Sequence, residues 1–251
     1  MSARVQRLLF YLFLALIWFG LAQLKIWPPY LFPAPADVLQ TMHQGFKDHS
    51  FSIGILKSLR RIGLGYGFSA VMGIALGLGT ARMRWLENTV GSLVVGLQTL
   101  PSICWLPAAI LWFGLSEGAI MFVVVMGALM AISIGTHDAV KNLPPIYIRA
   151  ARTMGVRGFR LYREVIFPAA LPGIVTGLKQ GWSFAWRSLM AGELLFVSPG
   201  LGHLLEMGRD LNDISLVVAV MIIIMALGWS VDRFVFSAWE KRLRLQRGMS
   251  I

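Results

Sequence analysis

Six stretches of this chain are apolar and long enough to cross a bilayer. They are Leu8–Trp27, Ile62–Ala81, Thr89–Leu115, Gly118–Thr136, Leu171–Glu193 and Ile214–Val231. A membrane helix needs about 20 mostly apolar residues. No single soluble core could absorb this many. The composition agrees: 57% of the 251 residues are hydrophobic and only 14% charged, where a soluble domain carries about 25% charged. A soluble enzyme, a disordered chain and a free nucleic-acid-binding domain are thereby excluded.

The formal charge of +11 would point to nucleic acid in a soluble protein. In a membrane protein it reports basic cytoplasmic loops. With the N-terminus inside, the inner segments hold roughly twice as many Lys and Arg as the outer ones. Most lie in the 137–170 loop and in the tail Lys241–Arg247. The pair Arg60–Arg61 falls outside and runs against the rule, but the loop and tail outweigh it. The topology expected is N-in and C-in. The first span follows Arg4 and Arg7 as a signal peptide would, yet it is longer than an h-region and lacks a prompt cleavage site, so it reads as a retained anchor. The lone Cys104 excludes an internal disulfide and reads as a buried small side chain.

Between spans one and two, PPYLFPAP (Pro28–Pro35) cannot be helical throughout. A short polar segment, Asp37–His49, follows at the outer membrane surface. Span two carries two small-xxx-small pairs, Gly63/Gly67 and Gly73/Gly77, which allow close helix packing. Span three holds Gln98, Pro101, Ser102 and Pro107. Proline removes a donor and breaks a helix, and in lipid the freed carbonyls must face protein or water. A broken span is a pointer to a transport path; a packing kink is the plainer alternative.

Span five holds Gln180, Trp182, Ser183, Trp186, Arg187 and Glu193. Arg187 is either an anion ligand, half of an ion pair with Glu193 or Glu117 of this or a neighbouring chain, or a side chain that snorkels to the interface. Trp182 and Trp186, one turn apart, gate a pore or pack. Gln98 and Ser102 line a cavity or are satisfied polar groups. Glu206, Arg209, Asp210 and Asp213 form an outer loop face.

The segment His137–Pro172 is the most informative. Pro144 and Pro145 stop span four. Tyr147–Met154 then reads as a helix ending at Gly155, and Gly158–Ile166 as a second short one. Pro168 and Pro172 are expected to break the chain before span five. Helix–Gly–helix on the inner face is a docking element, or an amphipathic segment held by anionic lipid.

In this loop Ala150–Ala151 is followed after three residues by Gly155, and nine residues later by Val165-Ile166-Phe167-Pro168. The pattern resembles the Glu-Ala-Ala, Gly, Ile-x-Leu-Pro loop of permease subunits of bacterial binding-protein-dependent ABC importers, with Arg149 in the usual Glu position. PPYLFPAPADV, SLRRIGLGYGFSAVMGIALGLG and LQTLPSICWLPAAILWFGLSE are similar to segments of the nitrate/sulfonate/taurine subgroup. The resemblance covers about residues 28–235.

It implies an all-α polytopic fold of six spans, with a cytoplasmic coupling helix between spans four and five. Residues 1–251 would form one transmembrane domain, with a core over 58–235 and a coupling loop over 137–170. Arg149, Ala150, Ala151, Gly155 and Pro168 would seat on two cytoplasmic ATPase subunits. ATP and Mg would bind those partners, since this chain has no Walker A pattern and itself would hold no cofactor or metal. A second permease copy would complete the path, and a periplasmic or lipid-anchored binding protein would deliver a small anion such as an alkanesulfonate, taurine or nitrate. The place implied is the bacterial inner membrane, with no nucleic acid involved. The candidate path residues are Gln98, Pro101, Ser102, Gln180, Trp182, Trp186 and Arg187.

Three other readings compete. A thiamine-type pyrimidine precursor is the alternative cargo. A self-sufficient secondary transporter would share the spans but not need the docking loop. An intramembrane serine protease using Ser116 and His137 fails, because span four puts about a bilayer thickness, roughly 30 Å, between them.

Overall fold

A computed structural model describes residues 3–28, 30–196 and 198–246. Pro29 of the proline-rich stretch and Arg247 of the basic tail lie outside the described residues. Among those described, every regular element is helical. The chain divides into two compact units, residues 1–57 with 197–226 and residues 58–196 with 227–251.

The first unit begins with α1 (Ala3–Gln23), which is apolar on all sides and exposed along its length. A helix of that kind belongs in lipid. Residues 24–28 and 30–34 hold no helix, in keeping with the prolines, and the Trp18 indole N–H donates to the Pro33 carbonyl at 3.1 Å. α2 (Pro35–Lys47) covers most of the expected polar segment; its Asp37 carboxylate accepts the Ala34 N–H at 3.2 Å. Asp48 then accepts the Ser50 N–H at 2.9 Å, which holds its carboxyl below the usual range. That bond opens α3 (Ser50–Arg82), a helix of 33 residues.

α4 (Arg84–Gln98) and α5 (Ser102–Phe113) follow, bent at 104° to each other. α6 (Glu117–Lys141) is the most enclosed long helix. α7 (Pro145–Thr153), α8 (Gly158–Leu161) and α9 (Phe167–Leu195) come next. α10 (Leu201–Asp210), α11 (Ile214–Val231) and α12 (Ser237–Gln246) finish the chain. Among the described residues, four helices are long and apolar enough to cross a membrane: Val5–Gln23, α3, α6 and the run Ile214–Leu243. The bent pair α4/α5 would make a fifth. α9, at 29 residues, is about 43 Å long, but its polar side chains keep it out of that group.

The core of the second unit is the α6–α9 seam. Ile120, Val123, Val124, Ala128 and Ile132 of α6 are buried with Ile174, Leu178, Ala185 and Leu189 of α9. The two backbones nearly touch. A Cβ on Gly135 would stand 2.6 Å from the Gly177 Cα, and one on Gly181 only 2.3 Å from Ile132. Such distances demand glycine, and Gly173, Gly177 and Gly181 recur every four residues along one face. On α3, Gly73 and Gly77 lie against Ile132, Ser133 and Thr136, while Gly63 and Gly67 meet nothing within 4 Å. Only the second of those two pairs packs.

Two expectations are corrected. Cys104 is exposed, because it sits in the 3-10 turn Ser102–Trp105 at the α4/α5 break. Pro168 and Pro172 do not break the chain before α9. A π turn over Tyr162–Ile166 leads straight into α9, and Pro172 lies inside it. The Phe167 N–H reaches back to the Tyr162 carbonyl, and this wider turn relieves the clash a proline ring makes with the carbonyl four residues earlier. The Thr176 hydroxyl donates to the Pro172 carbonyl at 3.1 Å, a bond from a helical Thr to the carbonyl one turn earlier.

Candidate functional site

The break in span three is built by its prolines. Pro101 sits at φ −54°, ψ 137°, an extended conformation. It biases Leu100 away from helix. Pro107 falls in the first turn of the helix that resumes at Leu106, where its missing N–H costs nothing. Thr99 donates its hydroxyl to the Gly96 carbonyl at 2.7 Å.

A cavity of about 350 Å³ opens at this break. Gln98, Thr99, Pro101, Ser102 and Trp105 line it from α4 and α5, Met126 and Gly127 from α6, and Phe184 and Arg187 from α9. Four of the candidate path residues are thus brought to one place: Gln98, Pro101, Ser102 and Arg187. The Arg187 guanidinium stands 5.3 Å over the Phe184 ring, a favourable cation–π arrangement. Arg187 is the one charged residue in the lining, so the cavity carries positive potential.

Gln180 lies apart from the cavity but on the same side of α9. Thr176, Gln180, Ser183 and Arg187 are all exposed, at intervals of four, three and four residues. They form one polar stripe, about a quarter turn around the helix from the glycine seam. Beside it, Lys179 pairs with Asp232 at 3.0 Å. Thr99 and Thr176 were not singled out from the sequence; four-residue spacing from Gln180 was the available signal for Thr176.

Trp182 and Trp186 are elsewhere. They stack on each other at 5.9 Å between centroids, and Trp182 meets the Tyr66 ring edge-on at 5.3 Å. Both are packed against the core. The Tyr66 hydroxyl donates to the Leu178 carbonyl at 2.8 Å.

Neither carboxylate considered for Arg187 is its partner. Arg61 takes both. Its Nη1 donates to Glu193 at 2.7 Å, and its Nε to Glu117 at 2.8 Å, with Nη2 closing a second bond to Glu117. Ser58 Oγ lies 2.7 and 2.8 Å from the two Glu193 oxygens. Arg61, which ran against the charge rule, is therefore a buried, compensated cation. Nothing local in the sequence joins it to residues 56 and 132 positions away.

The loop after α6 is compact. α7 ends in a Schellman arrangement: the Val156 N–H donates to the Ala151 carbonyl at 3.0 Å, and the Gly155 N–H to Arg152 at 3.0 Å. Gly155 sits at φ +82°, a conformation that favours glycine. Ala151 is buried in a small core with Leu161 and Ile166. Arg149, Ala150, Gly155 and Pro168 are exposed. Arg82 stacks over the Tyr162 ring at 4.9 Å, tying the end of α3 to the loop.

His137 bonds to Thr80 at 3.1 Å and lies 3.7 Å from Glu87, which also pairs with Lys141 at 2.6 Å. Ser116 precedes the opposite end of α6, about 31 Å away along the helix. No nucleophile–base pair exists there.

Residues 70–244 match the binding-protein-dependent transport system inner membrane component family. A putative ABC transporter permease protein of Methanocaldococcus jannaschii is 32% identical over 194 residues, covering 74% of this chain and 73% of that one. The nitrate import permease protein NrtB of Synechocystis sp. is 28% identical, covering 81% and 77%. The taurine transport system permease protein TauC of Escherichia coli is 26% identical, covering 83% and 78%. Among solved structures, the inward-facing MetNI methionine ABC transporter superposes with a TM-score of 0.66 at 22% identity, covering 76% of this chain and 94% of that one. A multi-pass helical membrane chain with a broken span, a polar helix face and this loop therefore belongs to the family of binding-protein-dependent transport system inner membrane components, as an ABC importer permease of the nitrate and taurine type.

Proposed function

We propose that this chain forms the translocation path of an ATP-driven importer for a small anionic solute such as a sulfonate, taurine or nitrate. The observation that carries the reading is the cavity at the α4/α5 break. Arg187 is its only charge, and the polar stripe of α9 leads to it. A guanidinium donates paired hydrogen bonds to an oxyanion. A cationic pyrimidine precursor would meet that guanidinium with no carboxylate in the lining. A carrier working alone is not favoured, because the matched relatives include nitrate and taurine import permeases.

In this reading α1, α3, the α4/α5 pair, α6, α9 and α11 are six spans, N-in and C-in, in the inner membrane. Residues 1–251 act as one permease domain. The exposed side of α7, with Arg149, Ala150 and Gly155, docks on two cytoplasmic ATPase subunits that hold ATP and Mg. Pro168 supports the helix that receives the movement. The buried Ala151 and the Arg82–Tyr162 stack carry that movement to α3 and α9. A second copy of the chain faces the polar stripe, and a binding protein delivers the anion.

Uptake of methanesulfonate or nitrate into proteoliposomes, with the neighbouring ATPase and binding protein, tests this. Arg187→Gln is expected to lower uptake about 10- to 100-fold, the worth of hydrogen bonds to a charged group. Gly155→Pro, which removes the N–H that caps α7, is expected to leave ATP hydrolysis running without uptake. Uptake by this chain without ATP would sink the proposal.

A further inference from the structure

The apolar side of α7 is used inside the protein, where Ile148 and Ala151 pack with Leu161 and Ile166. The side turned outward holds Ile146, Arg149, Ala150 and Thr153, all exposed and all on one helix face by their spacing. Arg149 stands within that face beside the small Ala150. An amphipathic helix held by lipid turns its apolar side to the bilayer. Here that side is already covered by the chain itself.

The turn after α7 adds a recess. Gly155 and Gly158 sit at φ +82° and +61°, a conformation that favours glycine. Across that turn Arg157 and Arg152 come to line one recess of about 400 Å³, with Gly158 and Leu161. Two guanidinium groups on one concavity repel each other. From Asn142 to Arg163 the chain has no Asp or Glu, and Glu164 pairs with Arg160 at 2.9 Å. Among the described residues, no carboxylate pairs with the side chain of Arg149, Arg152 or Arg157.

We propose that the ATPase surface receiving α7 is acidic. One of its carboxylates enters the recess between Arg152 and Arg157, where a guanidinium donates paired hydrogen bonds. A second faces Arg149. The inference rests on the ATPase-docking reading of α7 and adds the chemistry of the partner. It also makes the pairing selective, because an ATPase with a basic groove is repelled by the same three side chains.

The test measures the affinity of the neighbouring ATPase for the full chain in nanodiscs of neutral phosphatidylcholine. Raising NaCl from about 0.05 to about 0.5 M is expected to weaken binding about tenfold or more. Arg152→Gln is expected to weaken it about tenfold at low salt, the worth of hydrogen bonds to a charged group. Arg149→Gln is expected to cost about two- to fivefold, the worth of an exposed ion pair. Both are expected to flatten the salt dependence, whereas Arg152→Lys, which keeps the charge, retains it. Binding that neither salt nor these variants weaken overturns the acidic surface and leaves docking of α7 standing. Arginine effects that arise only when phosphatidylglycerol is added assign these side chains to lipid headgroups and also overturn it. An ATPase that does not bind at all sinks the docking reading as well.

Discussion

Two adjoining faces of α9, about a quarter turn apart, do opposite things with the same backbone. On one, Gly173, Gly177, Gly181 and Ala185 let α6 approach until backbones are in contact. On the other, Thr176, Gln180, Ser183 and Arg187 stay exposed. The first face has no tolerance for added atoms and fixes where the helix stands. The second has open space and carries the polar groups. A helix can hold an unfavourable polar stripe at membrane depth only if its other side is locked in place. Close van der Waals packing supplies that lock, because lipid gives no hydrophobic drive between helices.

The contrast can be broken most easily at the seam. Gly177→Val places its Cβ about 3.1 Å from the Gly135 Cα. Overpacking of this kind costs about 1–3 kcal/mol, so the unfolding midpoint in detergent is expected to fall. An unmoved midpoint would mean the seam is not the lock. Next in size is Gln180→Ala on the open face. It is expected to leave the midpoint unchanged and to lower uptake about two- to tenfold, the net worth of one neutral hydrogen bond. Equal damage to stability and uptake would erase the distinction between the faces. The smallest and most discriminating change is Gly67→Ala on α3, where nothing lies within 4 Å. It is expected to raise stability by about 0.5–1 kcal/mol, since glycine in a helix interior is the poorer choice. The same residue type thus gives opposite signs, according to what stands opposite.

Much of this was legible beforehand, and the failures are instructive. The apolar runs, the break at Pro101 and the Gly155 cap depend on local chemistry, and local chemistry reads directly from sequence. The spacing argument applied to Gly63/Gly67 was sound in form, yet that pair meets nothing, while Gly173, Gly177 and Gly181 carry the tightest seam with the same spacing. Spacing shows that helices could approach, not that they do. Pro168 misled because a breaker rule built on α-turns does not anticipate a π turn that makes room for the ring, and Pro172 is simply carried inside the helix. The Arg61 cluster was invisible for another reason. Its members come from three helices, and no periodicity links them. Arg187 was matched with Glu193 and Glu117, whereas three-dimensional packing gives both to Arg61.

The π turn at Tyr162–Ile166 sets the phase of everything after it. Each residue of an α-helix turns the chain by about 100°, and a π turn accommodates one residue beyond the α count. Deleting a single residue between Gly158 and Phe167 would swing α9 by that angle relative to the coupling loop. The glycines would rotate off α6, and Arg187 would turn away from the broken span. That one turn acts as the angular reference between the part of the chain expected to feel the ATPase and the part that meets the cargo.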